Sequence, residues 1–479
     1  MSARPSSSAP LSARWMQVAT AWLPFADAAS ANLPLARLLR LALFQVSVGM
    51  AGVLLTGTLN RVMIVELRIP AGLVAVMIAI PLLVAPLRAL IGHKSDTHRS
   101  LLGWRRVPYI WIGTLMQFGG LAIMPFALLL MSDPANATLG VTASAFAFLL
   151  TGAGMHTTQT AGLALATDLA PEDKRPRAVA LLYVMLLAGT MLAALVIGSL
   201  LVEFSATRLV QVIQGAALLT LVLNIVALWK QEPRGSSLRP GDATGPSFMV
   251  LWRAFIAEAR TARLLAAIGI GAAAFAMQDA LLEPYGGEIL SMSVGTTTML
   301  TGAWAAGALA GFCLAGRSLS RGGDPLRLAG TGLVAGITAF LLVLFAAPFE
   351  SSLLLFAGAA SIGLGLGLFS VGTLTETMAR ARGEGSGLAL GAWGAVQATC
   401  AGMAIAIGGG LRDVISQTAS AGGLSGALNH PAAGYASVYI IEIILLLAAL
   451  VALGPLVARR RTDGAQSTAQ RFGLCEFPT

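Results

Sequence analysis

Twelve apolar stretches, each long enough to cross a bilayer as a helix, recur along this chain. A helix of about 20 apolar residues spans the roughly 30 Å hydrocarbon core of a membrane. The stretches cover residues 38–60, 71–91, 107–131, 139–165, 178–202, 207–229, 264–283, 294–315, 328–348, 352–375, 386–410 and 434–457. The sequence therefore predicts an all-α integral membrane protein with twelve transmembrane helices.

The composition supports this prediction. The chain is 56% hydrophobic and only 11% charged, whereas soluble domains carry about 25% charged residues. Its net charge of +9 is spread over short segments between the apolar stretches. This distribution argues against a nucleic-acid partner and for contact with anionic lipid headgroups. The three cysteines form no CxxC pair, so we expect neither a disulfide framework nor a metal site.

The positions of the basic residues predict the orientation of the chain. Twenty-seven of the 31 Lys and Arg residues fall in segments that would all lie on one side of the membrane. The four exceptions are Arg61, Arg68, Arg208 and Arg412. Because Lys and Arg concentrate in cytoplasmic loops, both termini are predicted to be cytoplasmic.

A long polar stretch after residue 229 divides the predicted helices into two sets of six. The predicted segments are a cytoplasmic N-terminal segment 1–37, a six-helix half 38–229, a cytoplasmic linker 230–263, a second half 264–457 and a cytoplasmic tail 458–479. Apolar residues at helical spacing over 248–263 predict an interfacial helix in the linker. This layout is typical of the major facilitator fold, in which two halves rock around a central cavity.

Two loop sequences resemble motifs of the major facilitator superfamily. The residues concerned are Gly92, Asp96, Gly103, Arg105 and Arg106 after the second stretch, and Asp168, Pro171 and Arg175 after the fourth. An aspartate in such a loop can cap a helix or pair with an arginine, and so hold helix ends together in one conformational state. We interpret these residues as cytoplasmic gating motifs. They indicate the fold but not the substrate.

Polar residues occur near the same end of the first and seventh stretches. They are Asn60, Arg61 and Glu66 in the first half, and Gln278, Asp279 and Glu283 in the second. Ionisable residues in apolar spans are costly and are functional candidates by default. Their correspondence predicts a polar set that gates a cavity or holds the halves in one state. The alternative is that all of them lie in the headgroup layer.

Several segments in the first third carry a more specific resemblance. The runs 22–27, 35–50, 56–67 and 103–111 resemble the PucC/LhaA family, the bacteriochlorophyll-delivery branch of the major facilitator superfamily in purple phototrophs. The resemblance implies an assembly factor for a light-harvesting antenna, in a bacterial inner membrane, that helps bacteriochlorophyll reach the α and β polypeptides. The implied partners also include the antenna or reaction-centre core complex and bacteriochlorophyll synthase. The client, core or peripheral antenna, is left open.

His156 is the only histidine inside an apolar stretch. A neutral imidazole can bind the magnesium of a transiently held bacteriochlorophyll, and the neighbouring Gly and Thr residues are expected to leave room for the macrocycle. Gln159 is a second candidate ligand through its amide carbonyl. For both residues, a hydrogen bond to a neighbouring helix is the alternative.

No catalytic motif is apparent, and we expect no enzyme. The sequence has no phosphate-binding Gly-Lys-Ser/Thr loop and no HExxH pair. Two further functions stay open. One is a proton-coupled transporter of a small solute, although the acids cluster near the ends of the stretches and leave no obvious proton site at the midplane. The other is an assembly scaffold that binds no pigment.

Overall fold

The computed structural model describes residues 33–84, 104–171, 174–232, 259–380, 386–420, 430 and 432–460. The helices are α1 (Leu35–Glu66), α2 (Ala71–Val84), α3 (Val107–Ser132), α4 (Ala137–Leu169), α5 (Arg175–Leu200), α6 (Ala206–Leu228), α7 (Arg260–Glu288), α8 (Val294–Ser320), α9 (Pro325–Ala346), α10 (Ser352–Arg380), α11 (Ser386–Ser420) and α12 (Ala433–Arg460). All except α2 are long and apolar enough to cross a membrane, and α2 is a shorter apolar helix. The predicted all-helical membrane fold is confirmed.

Several helices continue beyond the predicted spans. For example, α10 ends at Arg380 rather than at residue 375, and α8 ends at Ser320 rather than at residue 315. Hydropathy marks the part of a helix that matches hydrocarbon, whereas the backbone hydrogen bonds continue into the polar layer. At the start of α9, Oδ1 of Asp324 accepts hydrogen bonds from the N–H groups of Leu326 and Arg327 and caps the helix.

Small residues let the helices approach closely. A Cβ atom added at Gly307 of α8 would overlap the carbonyl of Ala360 in α10, and one added at Gly363 would overlap the carbonyl of Trp304. Close backbone contact of this kind provides the van der Waals packing that joins helices in lipid. Packing therefore accounts for these glycines.

Buried polar side chains also join helices within the first half. Asn224 of α6 donates to the hydroxyl of Thr114 in α3 at 2.9 Å, and Ser47 of α1 donates to Oδ1 of Asn224 at 3.1 Å. Gln117 of α3 donates to the carbonyl of Ser47 at 3.1 Å. Each such bond between membrane helices contributes about 0.6 kcal/mol, so the network makes α1, α3 and α6 one packed unit.

The two sets of six helices meet through several helix pairs. Gly295 of α8 lies against the backbone of Gly198 in α5, and Gly72 of α2 lies against Gly410 in α11. In addition, α1 contacts both α7 and α8. We call the end of the bundle where α1 ends and α2 begins the α1–α2 end. The predicted interfacial helix lies almost entirely outside the described residues, and α7 already begins at Arg260, inside the predicted linker.

Candidate functional site between the two halves

Both α1 and α7 depart from regular α-helix near the α1–α2 end. In α1, π-helical turns over Val53–Thr58 and Val62–Glu66 flank a short α-helical piece. In α7, a 3₁₀ turn over Met277–Ala280 precedes a last helical segment, Leu282–Glu288. Such turns inside helices often occur at functional sites. Breaks at corresponding positions of two halves are also the best pointer to a binding site in paired-half membrane proteins.

The two irregular segments contact each other directly. The side-chain amide of Asn60 donates to the backbone carbonyl of Asp279 at 3.1 Å and to the carbonyl of Thr56 at 2.5 Å. The hydroxyls of Thr58 in α1 and Thr298 in α8 lie 3.1 Å apart. Asn60 and Thr58 are completely buried. The structure thus brings the predicted polar residues of the two halves together, enclosed by other helices.

The guanidinium of Arg61 binds one group in its own helix and one group in the second half. Its Nη1 lies 2.6 Å from Oε1 of Glu66, and its Nη2 donates to the carbonyl of Met292 at 3.1 Å. The acid that is hydrogen-bonded to Arg61 is therefore on α1 itself and not in the second half. The π turn explains this, because its i to i+5 period places Glu66 on the same face as Arg61.

Glu283 lies at the contact of three helices and is only 3% exposed. Its Oε1 accepts a hydrogen bond from the Thr301 hydroxyl of α8 at 2.5 Å, and its carboxylate lies directly over Gly57 of α1. A Cβ atom at position 57 would overlap this carboxylate. The charge of Arg61 also acts on Glu283, so an acid of the second half is close to a base of the first.

Glu442 of α12 is a buried acid that sequence analysis missed. It is completely buried, and neither carboxylate oxygen has a hydrogen-bond partner among the described residues. The 3₁₀ turn of α7 packs against α12, so that the backbone N–H of Gln278 favours a charge on Glu442 whereas the carboxylate of Asp279 repels it. Glu442 follows Ala433 by nine residues, or about 13 Å along a helix. The expectation that the acids cluster near the span ends is therefore wrong for Glu442.

A second set of charged residues joins the halves at the α1–α2 end. Asp413 of α11 accepts hydrogen bonds from the backbone N–H of Gly72 at 2.7 Å and of Ala71 at 3.1 Å, and so caps α2. Arg412 pairs with Asp413 and with Glu288. Glu288, Arg412 and Asp413 also line a cavity of about 740 Å³ beside the loop between α1 and α2. Sequence analysis had treated Arg412 only as a charge on the outer side.

The predicted gating motifs lie at the opposite end of the bundle. Nε of Arg106 lies 3.0 Å from Oδ2 of Asp168, so the structure pairs residues of the two motifs within the first half. The N–H groups of Arg105, Arg106 and Val107 donate to the carboxylate of Glu232, which caps α3. Arg175 donates to the carbonyl of Thr167 at 3.1 Å, and the carbonyl of Pro171 accepts from the N–H of Lys174 at 2.9 Å. Gly92, Asp96 and Gly103 lie outside the described residues.

His156 lies in α4 on the same face as Gly152 and Gln159. Gln159 donates to Oε1 of Gln45 in α1 at 3.4 Å, and Gly152 packs against Pro81 of α2. Gly154 packs against the backbone of α3. The expectation that these glycines leave room for a macrocycle is therefore wrong, because neighbouring helices occupy the space. His156 itself is partly buried.

The paired halves, the close α2–α11 and α5–α8 contacts and the broken α1 and α7 define a multi-pass membrane protein of the major facilitator fold. Solved structures with a similar fold include a bacterial homologue of the human lysosomal transporter Spinster in an inward-facing, unoccupied conformation. That structure has a TM-score of 0.68 and 16% identity, covering 91% of this chain and 98% of the other. Another is the nucleoside transporter NupG, with a TM-score of 0.61 and 16% identity, covering 87% and 99%.

Sequence comparison narrows this class to one family. The family model described as PUCC protein matches residues 58–461. Protein PucC of Rhodovulum sulfidophilum is 55% identical over 403 residues, or 82% of this chain and 88% of the relative. An uncharacterized protein in the puhA-bchM intergenic region of Rhodobacter capsulatus is 54% identical over 468 residues, or 96% and 98%. The chain belongs to the PucC family.

A more distant relative carries a different name. The bacteriochlorophyll synthase 44.5 kDa chain of Rhodobacter capsulatus is 28% identical over 383 residues, covering 79% of this chain and 88% of the relative.

Proposed function

We propose that this protein is an assembly factor for a purple-bacterial light-harvesting antenna, and that it holds or delivers bacteriochlorophyll to the antenna polypeptides. The observation that carries this proposal is membership of the PucC family over residues 58–461, which include the end of α1 and all the later helices. The relative named for bacteriochlorophyll synthase adds a link to this pigment. In this proposal the protein lies in the bacterial inner membrane with both termini cytoplasmic, and it catalyses no reaction.

The proposed pigment ligand is His156. Its imidazole has the donor chemistry that suits an axial ligand of magnesium, and the residue itself is only partly buried. Bacteriochlorophyll, as the cargo, supplies a magnesium ion that accepts such a ligand. Gln159 is the second candidate through its carbonyl oxygen, while its amide N–H donates to Gln45. The accepting partners are the light-harvesting α and β polypeptides, within the antenna or the reaction-centre core complex. Bacteriochlorophyll synthase is the proposed pigment donor, and membrane lipids surround the outer helix faces.

A second candidate function is proton-coupled transport of a small solute. Two observations favour it: the solved structures with this fold include transporters, and Glu442 is a wholly buried acid well inside α12. This second candidate is the weaker one, because Asn60 and Arg61 already direct N–H groups to backbone carbonyls of the second half. A pigment-free scaffold is the third candidate.

One experiment separates the three functions. The tagged protein is purified gently from cells grown phototrophically, its absorption spectrum is recorded, and the co-purifying polypeptides are identified. We expect bacteriochlorophyll absorbance together with antenna or pigment-synthesis polypeptides. His156→Ala should lose the pigment and keep the polypeptides, whereas the matched control His430→Ala, in the loop before α12, should keep both.

Other outcomes contradict the proposal. Antenna polypeptides without pigment in the parent protein would favour the scaffold. A colourless protein without polypeptides, which accumulates a solute in vesicles when a proton gradient is applied, would establish the transporter.

A further inference from the structure

Glu442 is a buried acid to which the proposed function assigns no role. It is completely buried in α12, and neither of its oxygens is hydrogen-bonded to the described residues. Among those residues, no lysine, arginine or histidine forms an ion pair with it. A buried carboxylate without a partner is so unfavourable that such a group normally takes up a proton instead. The packing around Glu442 therefore suits the neutral, protonated acid.

In the part of the chain that the structure describes, the surroundings of Glu442 contain a second acid and no base that is not already paired. Asp279, on the 3₁₀ turn of α7, is close enough to repel a charge on Glu442. Tyr439 lies one turn earlier on α12, and its hydroxyl is also buried without a partner among the described residues. Tyr285 and Tyr435 pack beside Tyr439.

The basic residues of this region are already engaged. Arg412 pairs with Glu288 and Asp413. Arg61 pairs with Glu66 and lies near Glu283. Among the described residues, a negative charge on Glu442 would therefore form no ion pair with a cation, and only the backbone N–H of Gln278 favours it.

The 3₁₀ turn links this acid to the contact between the halves. One side of the turn presents Gln278 and Asp279 to Glu442. On the other side, the backbone carbonyl of Asp279 accepts the hydrogen bond from Asn60 of α1. Any repulsion that moves Asp279 away from Glu442 therefore also moves the acceptor that α1 uses.

We propose that Glu442 and Asp279 form a proton-binding site, and that proton occupancy stabilises the closed contact between Asn60 and the 3₁₀ turn. The ligand is a proton rather than a metal ion. Among the described residues, no group of three His, Cys, Asp or Glu side chains is placed to hold a metal. Because coupling between two equilibria is reciprocal, the closed state binds the proton more tightly, and loss of the proton favours opening. This inference does not depend on pigment binding.

The test measures the separation of the halves as a function of pH. Thr138 in α4 and Ser352 in α10 are exposed at the α1–α2 end, one in each half. Both are replaced by cysteine and spin-labelled in a chain whose three native cysteines are changed to serine. Distances are measured by pulsed electron paramagnetic resonance in lipid nanodiscs.

We expect a short distance at low pH and a growing population with a longer distance as the pH rises. Glu442→Gln, which imitates the protonated acid, should keep the short distance at every pH. Asp279→Asn should reduce the pH-dependent change, since the repelling charge is gone. Glu203→Gln, which alters an exposed acid in the loop after α5, is the matched control and should behave like the parent.

Three results would overturn the inference: a parent distance that is independent of pH, an unchanged pH response in Glu442→Gln, or closure that follows sodium concentration at constant pH. Loss of pigment in these variants would not bear on it, because the distance is read without pigment. The failure of this inference and the failure of the assembly function are thus separate outcomes.

Discussion

The cap that Asp413 provides for α2 is a link between the halves whose removal has a calculable cost. Its carboxylate accepts from Gly72 N–H at 2.7 Å and from Ala71 N–H at 3.1 Å. A hydrogen bond to a charged group contributes about 1.5–3 kcal/mol, and replacing a capping Asp by Ala costs about 1 kcal/mol. Because water can partly replace the carboxylate at this 13% exposed side chain, we expect Asp413→Ala to weaken the contact by about 2–3 kcal/mol.

This cost predicts a measurable change in opening. Each 1.4 kcal/mol is a tenfold change in an equilibrium constant, so the open population should rise by roughly 30- to 150-fold. Thr58 is completely buried between the halves, and a cysteine in its place reacts with a water-soluble maleimide only when the halves separate. The alkylation rate of Thr58→Cys should therefore increase by that factor when Asp413→Ala is added.

Asp324 offers the matched control. Its Oδ1 caps α9 through the N–H groups of Leu326 at 2.8 Å and Arg327 at 3.2 Å, and both partners belong to the second half. Asp324→Ala should therefore lower the thermal stability without changing the alkylation rate. An unchanged rate in Asp413→Ala, or an equal acceleration in both variants, would refute the reasoning.

Two further predictions concern packing and orientation. Gly307→Val should lower the Tm in detergent, because its side chain overlaps the α10 backbone and overpacking costs about 1–3 kcal/mol. Gly391→Ala, where nothing lies within 4 Å, should leave the Tm unchanged or raise it. An impermeant thiol reagent added to intact spheroplasts should label Thr138→Cys but not Arg321→Cys. The reverse labelling pattern would contradict the orientation predicted from the basic residues.

The helices could be predicted from the sequence because the bilayer itself sets their length and apolarity. The predicted span 207–229 and the observed α6, Ala206–Leu228, differ by one residue at each end. The correspondence between the polar residues of the two halves could also be predicted from the sequence, since Asn60 and Asp279 lie near the same end of corresponding spans. Glu442 could have been found by the same rule, as the single acid within a long apolar run.

The remaining parts of the site depend on geometry that the sequence does not carry. No residue pattern in the sequence predicts the π turns of α1. These turns place Glu66 next to Arg61, so the pair could not be predicted either. The caps formed by Asp413 on α2 and by Glu232 on α3 join residues that are 341 and 125 or more positions apart. Contacts at such separations follow from the packing of the bundle and not from local propensity.

Several contacts between the halves at the α1–α2 end are hydrogen bonds to backbone groups, and this property affects how the two halves separate. Asn60 binds the carbonyl of Asp279, Arg61 binds the carbonyl of Met292, and Asp413 binds the N–H groups of α2. These are directional hydrogen bonds, and their energy falls steeply as the geometry departs from the ideal. A contact built in this way is either formed or broken, as a two-state element requires.

The proposed pigment residue lies close to this element. His156 shares a helix face with Gln159, which contacts Gln45 of α1, and the π turns begin eight residues further along α1 at Val53. We expect opening at the α1–α2 end to bend α1 at its π turns and thereby to change the α1–α4 contact beside His156. A protein that holds a pigment and then releases it needs a link between the pigment site and the contact that opens. Spatial proximity alone does not prove coupling; a pigment off-rate that rises in Asp413→Ala but not in Asp324→Ala would establish it.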